Sequence, residues 1–142
     1  MRAMHDFPHM RRSRQSRLND SLQHLQLVLN RCPVSHPDHT MALTNLAYVC
    51  LQGYIRNGFQ GINTIVSHFR DALALRPQHH PDHHLSLYNL ATTLTWRHNK
   101  KRAVADIREA AKLYHELLLL CPKDTYLRSI AAGAASQSFI RL

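Results

Sequence analysis

Apolar side chains return at steps of three and four along most of the chain. Leu18, Leu22, Leu25, Val28 and Leu29 form one series; Ile62, Ile65, Val66, Phe69, Ala72 and Leu73 a second; Ile107, Ala110, Ala111, Tyr114, Leu117 and Leu118 a third. Such steps put residues on one face of an α-helix. Pro33, Pro77 and Pro122 follow the three series. Each proline ends its helix, since it lacks an N–H and disfavours α geometry in the residue before it. Leu43, Leu46, Ala47 and Cys50, and later Leu87, Leu90, Ala91 and Leu94, make the apolar faces of intervening helices. Asp38 and Asp82 stand where they can cap those helices by accepting backbone N–H bonds. The pattern predicts an all-α fold with helices over 18–31, 39–52, 60–76, 83–97, 103–121 and 125–135.

These helices are written in repeats. The run Cys32-Pro33-Val34-Ser35-His36-Pro37-Asp38-His39 returns 44 residues later as Arg76-Pro77-Gln78-His79-His80-Pro81-Asp82-His83. At the same shift Leu43-Thr44-Asn45-Leu46-Ala47 becomes Leu87-Tyr88-Asn89-Leu90-Ala91. The other helix type recurs three times, as Ser21, Leu25, Val28, Pro33; Ile65, Phe69, Ala72, Pro77; and Ala110, Tyr114, Leu117, Pro122. The unit is a helix, a turn and a second helix.

Leu46-Ala47 and Leu90-Ala91 in the first helix type, with Ile65-Phe69-Ala72-Pro77 and Ala110-Tyr114-Leu117-Pro122 in the second, make the chain similar to the tetratricopeptide repeat family. The family's usual period is about 34 residues. The longer period and the Leu-x-Asn-Leu-Ala helix resemble the subgroup seen in kinesin light chains and fungal repeat arrays. The resemblance covers roughly residues 18 to 135. It implies a right-handed α-solenoid of antiparallel helix pairs, about two and a half repeats long, that binds a peptide or partner protein on its concave face. On the same ground Asn45 and Asn89 match an asparagine that bonds a peptide backbone. Thr44, Tyr48, Tyr88, Thr92 and Thr95 would line the groove, with Met41 and Leu85 at its edge. The alternative is that both asparagines bond neighbouring helix ends. No Lys or Arg stands beside them, which disfavours the carboxylate clamping of some relatives.

The resemblance thins at both ends. Residues 1–17 read as a disordered basic head, 18–137 as the repeat domain and 138–142 as a tail. No apolar helix precedes Leu18, and none follows the segment containing Ile130-Ala131. Repeat units bury their cores against neighbours, so open ends predict an exposed apolar patch and self-association. A fragment of a longer array is the corresponding expectation.

The 142 residues suit one domain, and the net charge of +9 brings in a second reading. Arg2, Arg11, Arg12, Arg14 and Arg17 face only Asp6 in the head, and Arg97, Lys100, Lys101 and Arg102 form a second knot. A basic helical adaptor for RNA or another polyanion would use Arg11, Arg12, Arg14, Arg97, Lys100, Lys101 and Arg102. No aromatics interleave with either knot, which leaves nucleic acid the weaker partner class. His79-His80-Pro81-Asp82-His83-His84 offers metal-ligand chemistry. Its earlier copy keeps Pro and Asp with fewer His, which favours a helix-start turn, and no metal or other cofactor is expected. No phosphate loop, no Gly-x-Ser-x-Gly elbow and no carboxylate pair placed on one helix face near a His is present, so no catalytic residues and no enzyme are expected. Three scattered cysteines suit a reducing compartment, the cytoplasm or nucleus. There is no apolar leader, and the longest apolar runs are too short for a membrane span.

Overall fold

The computed structural model describes residues 8–57 and 61–120, with side chains at 16–17, 19–56 and 61–120. The described backbone forms helices α1 (Pro8–Arg31), α2 (Pro37–Asn57), α3 (Ile62–Leu75), α4 (His83–Lys101) and α5 (Val104–Leu120), with no strand among these residues. Each helix packs chiefly on the next in the chain.

The stripes read from the sequence for α3 and α5 face the core, whereas that of α1 is only half-buried. Ile62, Ile65, Val66, Phe69 and Ala72 are buried on α3, and Ile107, Ala110, Ala111, Leu113, Tyr114 and Leu117 on α5. Leu46, Ala47, Leu51 and Tyr54 of α2 and Leu87, Leu90, Ala91 and Leu94 of α4 meet them. Ala47, Ala72, Ala91 and Ala110 are all at most 1% exposed. Small side chains at these places let helix axes approach toward the lower end of the usual 8–10 Å.

Helix ends depart from expectation for local reasons. α2 runs to Asn57 rather than 52, because Gly53 and Tyr54 are both buried and packing outweighs glycine's poor helix propensity. α4 continues past 97 through buried His98 to Lys101. It ends at Arg102, which takes the left-handed conformation (φ 57°) and donates its N–H to the His98 carbonyl at 2.7 Å. α1 starts at Pro8 instead of 18, so residues 8–17 of the expected disordered head are helical backbone. Residues 1–7, the expected helix at 125–135 and the tail at 138–142 lie outside the described residues.

The aspartate cap expected at the start of α4 is not made. Asp82 makes no side-chain cap bond. Instead the Asp38 and Asp82 N–H groups donate to the Nδ1 atoms of His36 and His80, at 3.1 and 3.0 Å. At α2, where Asp38 is the second helical residue, His36 thus supplies the acceptor that Ser or Asp usually provides, with the carboxylates near the positive end of the helix dipole. His39 Nδ1 donates to the Cys32 carbonyl at 3.1 Å, and His83 Nδ1 to the Arg76 carbonyl at 2.7 Å. Each turn therefore carries two histidines in opposite tautomers, and these two contacts recur one 44-residue period apart.

Candidate functional site

Met41, Asn45 and Tyr48 are three and four residues apart on α2 and share one face. All three are exposed, Met41 and Tyr48 each at 53%. One period later α4 presents Leu85, Asn89 and Thr92 at the same positions, Leu85 exposed and the other two half-buried. Neither asparagine side chain is buried, and each sits on a helix of the first type.

The remaining groove candidates have internal partners. Thr44 and Thr95 donate their hydroxyls to the carbonyls of Thr40 and Ala91, at 2.8 and 2.9 Å. Tyr88 packs edge-on against Tyr114 of α5, with centroids 6.4 Å apart and planes at 64°. Thr92 Oγ1 lies 3.2 Å from the Tyr114 hydroxyl. Burial pushes the Tyr114 phenol up, with hydrogen bonds from Thr92 and Thr95 working against that shift. Tyr88, Thr92 and Thr95 therefore line the contact of α4 with α5. The face open to a partner is Met41, Asn45, Tyr48, Leu85 and Asn89.

The second basic knot is partly neutralised. Arg97 holds Asp106 through two bonds, Nε to Oδ2 at 2.8 Å and Nη2 to Oδ1 at 2.6 Å, and reaches Asn63 Oδ1 at 3.4 Å. The Asp106 side chain is only 6% exposed. Lys101 Nζ donates to the same Asn63 oxygen at 3.3 Å, while Lys100 and Arg102 face solvent. Arg97 is thus a positioning cation between helices rather than a free one. Beside it Arg70 grips Glu109, Nη2 to Oε2 at 2.8 Å, and this bond holds the Glu109 carboxyl below the usual carboxylate range. The spacing of nine residues across the α4–α5 turn gives no periodic signal, which is why sequence reasoning missed the Arg97–Asp106 pair. Arg11, Arg12 and Arg14 lie on α1, in the part whose side chains are outside the described residues.

In the histidine-rich turn, His80 and His83 spend their Nδ1 atoms on backbone partners. Among the described residues no three His, Cys, Asp or Glu side chains come together to hold a metal ion. Cys32 and Cys50 are free thiols, and burial pushes the Cys50 thiol up, away from the reactive thiolate. No described helix is long and apolar enough to cross a membrane. Compared with protein-family models, with curated proteins and with solved structures, the chain gives no match.

Proposed function

We propose that the chain is a non-enzymatic interaction scaffold, a solenoid of tetratricopeptide-like helix pairs that holds a peptide or partner-protein segment across α2 and α4. One observation carries this reading: Met41, Asn45 and Tyr48 stand exposed on α2, and their positions recur one period later as Leu85, Asn89 and Thr92. Large apolar side chains flanking an unburied amide suit an extended peptide, whose backbone needs hydrogen bonds and whose side chains need apolar contact. The free thiols of Cys32 and Cys50 suit the cytoplasm or nucleus.

Peptides selected for binding to the full chain test the proposal. Asn45→Ala and Tyr48→Ala are expected to weaken such a peptide by about 1 kcal/mol or more each, without shifting the melting temperature. Unchanged affinity in both variants would remove this face from the reading. Salt separates the polyanion alternative: a groove-bound peptide should respond weakly, whereas phosphate contacts weaken steeply between about 50 and 200 mM. The engagement of Arg97 by Asp106 counts against that alternative.

A further inference from the structure

The open stripe of α2 and α4 runs further than the residues proposed to meet a peptide. In steps of three and four it starts at Asp38 and Asp82, and beyond Tyr48 and Thr92 it passes Gln52 and Trp96 to end at Arg56 and Lys100. Asp38 lies in the first turn of α2 and Asp82 just before α4, while Arg56 and Lys100 lie in the last turns. None of these residues is buried, and after Pro37 every exposed residue of α2 up to Arg56 belongs to the stripe. The 44-residue period holds at each step, so both copies read carboxylate, apolar, amide, hydroxyl, uncharged N–H, cation. Met41 and Asp82 line one cavity of about 360 Å³, which sets the beginnings of the two stripes side by side.

Charges at helix ends complement the helix dipole. That role is open to any position in an end turn, whereas here both helices put their charges on the stripe that the core leaves free. Among the described residues Arg56 and Lys100 enter no ion pair. From Asp38 to Arg56 the stripe climbs 18 residues, about 27 Å at about 1.5 Å each, the length of about eight residues of extended chain. Its middle carries no charge. Trp96, 37% exposed, adds one large flat apolar surface a turn away from Lys100.

We propose that α2 and α4 take an extended, acid-ended segment of a partner protein, laid along both stripes with its acidic end at Arg56 and Lys100 and an apolar side chain against Trp96. Asp38 and Asp82 repel an acidic end from the opposite end of the face, so the charges fix which way the segment lies. A nucleic acid carries a phosphate at every step and meets those carboxylates wherever it crosses them, which favours the acidic peptide. This names the partner class of the proposed function and rests on that reading.

The full chain is used to select binders from a random octapeptide library, and binding of the tryptophan-free ones is read by fluorescence from Trp96, its one tryptophan. Selected peptides are expected to be enriched in Asp or Glu at one end only, with an apolar residue close by, and to shift the Trp96 emission saturably. Replacing the peptide's acids by Gln, or making Arg56→Gln together with Lys100→Gln, should weaken binding about three- to tenfold at low salt. Both changes combined should cost no more than either alone, because they remove the same pairs. Trp96→Ala should weaken binding about tenfold. Lys112→Gln, which removes an exposed cation of α5 away from the stripes, should leave it unchanged. An equal loss with Lys112→Gln reduces the effect to general attraction by a chain of net charge +9 and overturns the proposal. So does tighter binding of a single-stranded RNA oligonucleotide than of any selected peptide at 150 mM salt. Peptides that lose affinity with Asn45→Ala and Tyr48→Ala yet show no acid preference leave the groove standing and overturn its acidic partner. A library that yields no binder overturns both.

Discussion

Ser86 and Ala42 hold the same position in successive repeats, and both are buried. The Ser86 hydroxyl has no hydrogen-bond partner. A buried, unsatisfied hydroxyl costs desolvation energy that a methyl group does not, so Ser86→Ala is expected to stabilise by about 0.5–1 kcal/mol, measured by urea denaturation; a clear loss would mean that the hydroxyl has a partner in solution. Phe69 represents the opposite case. It is 0% exposed at the centre of the core, and Phe69→Ala should cost about 3–5 kcal/mol through lost burial and the cavity left behind. The aromatic at this position was legible in the sequence, since Phe69 and Tyr114 hold equivalent places in two helices of the same spacing. Asn45 was legible likewise, by its return as Asn89. Arg76 was not: it replaces Cys32 in the repeated run, and nothing in the spacing of one arginine says that the residue ends up largely covered.

Between elements, ion pairs do what apolar stripes cannot, tying α5 to both α3 and α4. Glu109 is held by Arg70 with its carboxyl below the usual range, so the pair adds stability above the ordinary glutamate value of about 4.3 and loses it as pH falls through the lower folded value. Both side chains are more than a third exposed, which limits the contribution to about 0.5 kcal/mol. Thermal melts of wild type and Glu109→Gln should differ slightly at pH 7 and draw together as the pH is lowered below the ordinary glutamate value; a gap that widens on acidification would contradict the pairing. Asp106 is the stronger tie, because it is buried and its removal strands Arg97. Asp106→Ala should cost about 2–3 kcal/mol. Helix positions were readable because proline and the three-and-four spacing act within a few residues. Helix ends were less so, because the burial of Gly53 and Tyr54 and the left-handed turn at Arg102 depend on neighbours distant in sequence. The histidine caps fall between these cases: the repeated His-x-Asp-His run marked a turn, while the choice of accepting atom emerged only from geometry.

Stability should fall off along the chain toward α1. The central apolar cluster draws on α2, α3, α4 and α5 and includes no residue of α1. Leu22, Leu25, Val28 and Leu29 are only half-buried, Leu27 is 51% exposed, and none of the described α1 side chains is buried. In a chain whose helices pack mainly on their neighbours, each element is held by the interfaces it shares. α4 lies between α3 and α5, whereas the principal partner of α1 is α2 alone. Opening of α1 should therefore cost much less than opening of α3 to α5, which share the buried cluster and unfold with the whole. Hydrogen exchange on the intact chain measures this directly: amides at 19–31 are expected to exchange through local opening at a small fraction of the global free energy, while those of Val66, Phe69, Leu90, Leu94, Ala111 and Tyr114 exchange only on global unfolding. The half-covered face of α1 is also where self-association should begin, so raising the protein concentration should slow exchange at 19–31 and leave the interior helices unchanged. If the amides of α1 are protected to the global limit in dilute solution, the five helices form one cooperative unit, and the open repeat end that motivates self-association is absent.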